Sequence, residues 1–153
     1  MTYSIKQGCL DDLLEIELAI PEFHTPKSKA LIQSRLEDKT FLLLVTYYNK
    51  IPVGYKLGYA TSSTEFYSWL GAVHPLHRGK QLAQKMLDAQ ETWLIQNNFT
   101  TVTVKTMNPF RAMLAMLIKN HYNIIDIETS KDPAQTKILF EKRLNLASSK
   151  PVN

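Results

Sequence analysis

Apolar and polar positions along the chain repeat with periods near two in some stretches and near 3.6 in others, so strands and helices alternate. Residues 2–6 read as a short strand. Asp11 and Asp12 open a helix with Leu10, Leu14 and Leu18 along one face, and Pro21 ends it. Thr25-Pro26 sets a cap beside a proline suited to the first helical position and predicts a second helix to about Leu36. Residues 41–48 form a nearly continuous apolar run, as in a strand buried on both faces. Asn49-Lys50 turns that run into residues 51–60, where Val53, Tyr55, Leu57 and Tyr59 alternate with Gly54, Lys56 and Gly58. The next strand is FYSWLGAV, residues 66–73, stopped by Pro75, which has no donor for a ladder. Leu82, Met86, Ala89 and Trp93 then predict a long helix from Gly79 or Lys80.

TTVTVK, residues 100–105, is a β-branched strand. Asn108-Pro109 repeats the cap-plus-proline signature before a helix whose AMLAMLI core is apolar all round and so needs cover on several sides. Residues 122–128 and 137–144 close the chain as two strands about the Asp132-Pro133 turn. Together these predict a single α/β domain over residues 1–145 with a mixed sheet, and residues 146–153 as a frayed tail.

Chemistry concentrates in VHPLHRGKQLA, residues 73–83. A strand entering a glycine-containing turn and then a helix gathers unpaired N–H groups at one point. Those donors and the positive end of the helix dipole favour a phosphate or pyrophosphate. Arg78, Lys80 and Lys85 add positive charge there. Composition narrows the rest. The chain has 44% hydrophobic and 21% charged residues, which describes an ordinary globular domain without a membrane span. A net charge of +4 is scattered among acids, so the basic turn suits a phosphorylated small ligand and no nucleic acid is expected. The sole cysteine, Cys9, fits a reducing compartment, and with no apolar leader at the N-terminus a cytoplasmic protein is expected. Cys9 reads as a small buried hydrophobe. His74 and His77 lack further ligands at zinc spacing, so no metal is expected.

These residues resemble the GNAT superfamily of acyl-CoA-dependent N-acetyltransferases. That family's phosphate loop is Gln/Arg-x-x-Gly-x-Gly/Ala, matched at Arg78 and Ala83, with Gln81 in place of the central glycine. Val73-His74-Pro75 matches the preceding V-x-P pattern. TVKTMNPFRAMLAMLIKNHY resembles the fifth strand, capping asparagine and following helix, and IPEF, PVGYKLGY and FYSWLGAV resemble one bacterial subgroup. The resemblance implies a GNAT-like, mostly antiparallel twisted sheet in the order β-α-α-β-β-β-α-β-α-β-β, with helices on both faces. Two departures stand out besides Gln81. His121-Tyr122 replaces a frequent Gly-Phe, and Leu114 to Met116 replace the tyrosine that many members use as a proton donor.

By that resemblance, acetyl-CoA lies between the fourth and fifth strands. Its pantetheine would pair with main chain at Gly71, Ala72 and Val73. Its pyrophosphate would take N–H bonds from Arg78, Gly79, Lys80, Gln81, Leu82, Ala83 and Gln84, with Asn108 on the pantetheine arm. The acceptor is a small-molecule or peptide amine that attacks directly in a ternary complex. An alkylammonium of pKa about 10 must first lose a proton, and a carboxylate is the usual means. Glu65, leading into the fourth strand, and Glu22, in the IPEF segment, are the candidates, each also readable as a surface acid. Tyr55, Tyr59, Tyr67 and Trp69 read as core with a pocket lining second, and Met107, Met113 and Met116 as core filler. C-terminal edge strands allow a homodimer. The other reading is a non-catalytic acyl-CoA-binding or regulatory domain.

Overall fold

The structure, a computed structural model, describes residues 2–21 and 27–144. Seven strands form one sheet in the order β1-β2-β3-β4-β5-β7-β6, with β1 Tyr3–Gln7, β2 Phe41–Tyr48, β3 Ile51–Ala60, β4 Glu65–Val73, β5 Thr101–Met107, β6 Asn123–Glu128 and β7 Lys137–Arg143. Every neighbouring pair is antiparallel except β4 and β5. The helix α3, Leu82–Gln96, makes the crossover that this parallel pair requires. A lone Pro52 is tolerated in β3 near its start, and the register with β2 shifts there, between Thr46 and Tyr47.

Helices cover both faces, each over its own apolar cluster. The helices α1, Leu10–Leu18, and α2, Lys29–Leu36, lie over Leu43, Val45, Tyr55 and Leu57. On the other face α3 and α4, Arg111–Lys119, cover Leu42, Leu44, Phe66, Val102 and Phe140. Each such side chain taken out of water contributes about 1.5–3 kcal/mol before the cost of ordering the chain. No helix among the described residues is long and apolar enough to cross a membrane.

Several boundaries differ from the sequence expectation, each for a local reason. The buried residues of α1 are Leu13, Ile16 and Glu17, with Ile20 buried just after the helix, whereas Leu18 is 79% exposed. Two leucine-rich stripes satisfy the helical period, and contact with β3 selects the second. The cap of α2 is Ser28, whose Oγ accepts the Leu31 N–H at 3.1 Å; Thr25 and Pro26 lie outside the described residues. The helix α4 begins after Phe110, and its apolar run is only partly covered: Leu117 is buried, yet Ile118 is 59% exposed. Cys9 is exposed at the start of α1. All of β6 is exposed along the sheet edge.

Candidate functional site

The parallel ladder between β4 and β5 is short. It pairs Glu65 with Thr101 through Ser68 with Val104 and then stops. Beyond Ser68, β4 stays on β3 and β5 stays on β7, so residues 69–73 and 105–107 border a gap. A bulge sits where the gap opens: Leu57 pairs with Leu70 and Gly58 with Ser68, leaving Trp69 as the extra residue. An unpaired residue of this kind bends its strand and re-aims the side chains that follow. The result is a cavity of about 940 Å³, of the size that holds a small molecule or cofactor.

The turn at the mouth is built by local bonds. His74 N–H donates to Val53 O at 2.8 Å, and its Nδ1 accepts the Leu76 N–H at 3.1 Å. His77 Nδ1 meets Tyr3 Oη at 2.8 Å, and the ring packs between Tyr3 and Tyr48. Partial burial, with His74 and Lys80 close by, holds the His77 imidazole below its ordinary pKa. Arg78 Nε donates to Val73 O at 3.0 Å, which ties the turn back to β4.

From there the backbone turns left-handed twice, at Gly79 (φ 78°) and Gln81 (φ 62°, ψ 24°). That is why α3 starts at Leu82 and not at Gly79 or Lys80. The Arg78 N–H turns back to Pro75 O at 3.5 Å, and the Lys85 N–H is the first to find a helical carbonyl, Gln81 O at 3.0 Å. Among the described residues the six N–H groups between them, Gly79, Lys80, Gln81, Leu82, Ala83 and Gln84, have no acceptor. Such a run at a helix start is an anion cradle. Gln81 thus takes up a glycine-like backbone without being glycine.

The cavity walls are cationic and aromatic. Lys27, Lys56, Arg78, Lys105, Arg111 and Lys137 line it, and no aspartate or glutamate among the described residues does. On the α1 face, Trp69 and Tyr67 line the wall beside Tyr59, and the Arg35 guanidinium covers the Trp69 ring at 4.6 Å. Tyr55 also borders the cavity and donates its hydroxyl proton to the buried carboxylate of Glu17. Burial and that carboxylate raise the Tyr55 phenol well above its ordinary range.

The structure gathers Gly71, Ala72, Val73, Arg78, Gly79, Gln81, Leu82, Ala83 and Gln84 around one cavity, and Lys80 completes their turn. The Gln84 side chain is engaged elsewhere, with Asp88 and Asn120 at 2.9 Å. The Asn108 amide donates to Pro133 O at 3.0 Å, and the residue is neither a helix cap nor part of the lining. Glu65 stands at the closed end of β4, where Ser62 Oγ donates to its carboxylate at 3.2 Å. It stands seven positions from Ala72, about 23 Å along an extended strand. Glu22 lies outside the described residues. Met107, Met113 and Met116 line the cavity, and Met113 and Met116 also pack beside the core. Sequence reasoning missed Lys56, Lys105, Arg111 and Lys137, because isolated cations on strands and helix ends carry no motif.

The acetyltransferase (GNAT) family model matches residues 10–122. A comparison with curated proteins finds no match. Among solved structures, the ribosomal-protein-S18-alanine N-acetyltransferase from Escherichia coli superposes with a TM-score of 0.82 at 15% identity, over 99% of this chain and 100% of that one. The phosphinothricin acetyltransferase from Sinorhizobium meliloti, in complex with acetyl-CoA, gives 0.76 at 15% identity, over 99% and 94%. A GNAT family acetyltransferase from Elizabethkingia anophelis with acetyl-CoA bound gives 0.71 at 16%, over 93% and 98%. These likenesses establish the shared fold, and the family match, spanning the phosphate turn and most of the sheet, establishes that the chain belongs to the GNAT acetyltransferase family.

Proposed function

We propose that this protein is an N-acetyltransferase that moves acetyl from acetyl-CoA to a primary amine by direct attack in a ternary complex. The observation that carries the reading is the row of six unsatisfied N–H groups at residues 79–84, opening into a cavity lined by cations. That cavity fits acetyl-CoA: the row and Arg78 suit its pyrophosphate, and the open side of residues 71–73 can take the pantetheine amides as an added strand. Two of the structural relatives hold acetyl-CoA.

The chemistry then needs three things from the chain. A main-chain N–H at Ala72 or Val73 stabilises the oxyanion formed when the amine attacks the thioester carbon. The aromatic wall of Tyr67 and Trp69 shapes the acceptor side and excludes water. A carboxylate takes the amine's proton, and we assign that to Glu22, whose IPEF segment resembles one that walls the acceptor site in this family. Glu65 is the alternative base. A homodimer through the exposed β6 edge belongs to the same reading, and a monomer at every concentration in sedimentation would remove it.

Thermal unfolding with acetyl-CoA, CoA and ATP tests the cradle. Acetyl-CoA at about 100 times its dissociation constant should add roughly 2.7 kcal/mol, several degrees for this chain length, while ATP should add far less. CoA release with a panel of amines tests turnover. Glu22→Gln should lower it by 10²-fold or more with the thermal shift retained, at the order expected for a lost general base. Such a loss in Glu65→Gln instead would move the base to the far end of β4. The second reading, a non-catalytic acyl-CoA-binding domain, is favoured by Leu114 to Met116 standing where a proton-donating tyrosine is common. A thermal shift without CoA release from any amine would support it.

A further inference from the structure

One cation of the cavity wall is unlike the others. Lys105, Arg111 and Lys137 are exposed, but Lys56 is 5% exposed, in the middle of β3. Its neighbours on the α3 face are Gly54 and Gly58 along the strand, so no side chain of β3 itself shields it. It pairs with Gly71 on β4, and a Cβ placed on that glycine would stand 4.0 Å from Lys56 Cγ. The lysine stem therefore runs beneath bare backbone at the edge of the gap.

Few groups are there to meet its charge. Among the described residues Lys56 makes no hydrogen bond and no ion pair. On β4, Ser68 Oγ already takes Gln90 Nε2 at 3.3 Å; on α3, the buried Gln90 Oε1 has no partner, and on β2 the Thr46 hydroxyl has none. Glu91 on α3 is the acid whose field reaches it, and that carboxylate is held by Tyr122 Oη and Lys142 Nζ, both at 2.8 Å. The α4 wall opposite presents Met113 and Met116, and its one lining charge, at Arg111, is an exposed cation. Burying an ammonium without a partner costs several kcal/mol and is kept where a ligand supplies what the protein withholds.

We propose that the Lys56 ammonium stabilises the departing sulfur of CoA, the part left open by the leucine and methionines of α4. This rests on the reading of the cavity as an acetyl-CoA site. The amine forms a C–N bond at the acetyl carbon, the C–S bond breaks, and its electron pair goes to sulfur. The Lys56 ammonium stabilises the thiolate so formed and stays protonated, and the proton released by the acceptor amine passes to solvent. Burial lowers the Lys56 pKa from 10.5 to about 8, against the weaker opposing pull of Glu91. At that value Lys56 is still an ammonium at neutral pH, so its charge faces a departing thiolate whose free thiol has a pKa of about 8.5.

The test uses free CoA and no acceptor. Bound to the wild-type protein, its thiol, titrated by thiolate ultraviolet absorbance, should ionise at least one pH unit lower than in solution, because the ammonium stabilises the thiolate. In Lys56→Met, an apolar replacement of similar length, the thiol should return to its solution value while CoA still raises the melting temperature. Equal thiol titration in both proteins overturns the assignment. So does acetyl recovered on Lys56 by mass spectrometry after incubation with acetyl-CoA, since the residue would then be an acceptor. If CoA and acetyl-CoA leave the melting temperature of both proteins unchanged, the cavity reading itself fails, a result separate from either.

Discussion

Gln81 holds a left-handed backbone, φ 62° and ψ 24°, which costs an L residue about 1–2 kcal/mol relative to glycine. Glycine gives part of that back through the freedom of its unfolded chain. Gln81→Gly should therefore stabilise the protein by about 0.5–1 kcal/mol in urea unfolding, with acetyl-CoA binding retained; a destabilised variant would show that the glutamine side chain contributes more than its backbone costs. The glycine-like role of Gln81 was not legible in the sequence, because side-chain identity points the other way. The motif around it was, since Val73, Pro75, Arg78 and Gly79 fix the turn locally. Lys56 was invisible for a different reason: alternation placed it correctly in β3, but its burial depends on Gly71 from another strand. Its pKa of about 8 against 10.5 unfolded means the folded state carries an unfavourable charge below pH 8 and sheds it first as pH rises. The wild type should recover about 3 kcal/mol, an order-of-magnitude figure, between pH 8 and 10.5. Lys56→Met should lack that rise, so its stability advantage at pH 7 should shrink toward zero above pH 10.5 in paired urea titrations.

Among the elements, strands were easier to read than helix starts. The runs at 41–48 and 51–60 were given to the residue, since apolar continuity and the Asn49-Lys50 turn are both local. Helix faces were not, because the stripes through Leu14 and through Leu13 are equally periodic and only the sheet beneath α1 decides between them. The β4 bulge was likewise hidden: one extra residue at Trp69 shows only when β3 is laid beside it. Gly58 sits at that irregularity for want of space. A Cβ there would lie 2.4 Å from Phe66 Cε2 and 2.7 Å from Tyr67 O, and the latter, being backbone, cannot yield easily. Gly58→Ala should cost about 1–3 kcal/mol in chemical denaturation. A neutral result would mean that β3 and β4 part there freely.

At the scale of the whole molecule, a sheet with one parallel junction is divided where that junction ends. The paired segments 65–68 and 101–104 hold the halves together, and the unpaired segments beyond them face each other across the cavity. Acetyl-CoA should slow amide hydrogen exchange at residues 71–73 and 79–84 while leaving 65–68 and 102–104 unchanged. Uniform slowing would indicate general stabilisation in place of occupancy of the gap. Of the two tryptophans in the chain, Trp69 lines that gap beneath the Arg35 guanidinium, while Trp93, on α3, is packed with Phe66 and Phe99 against the core. The protein thus carries its own optical reporter and its own internal standard. A molecule entering the gap should quench or shift the emission of Trp69 alone, and Trp69→Phe should leave a steady fluorescence that ignores the ligand.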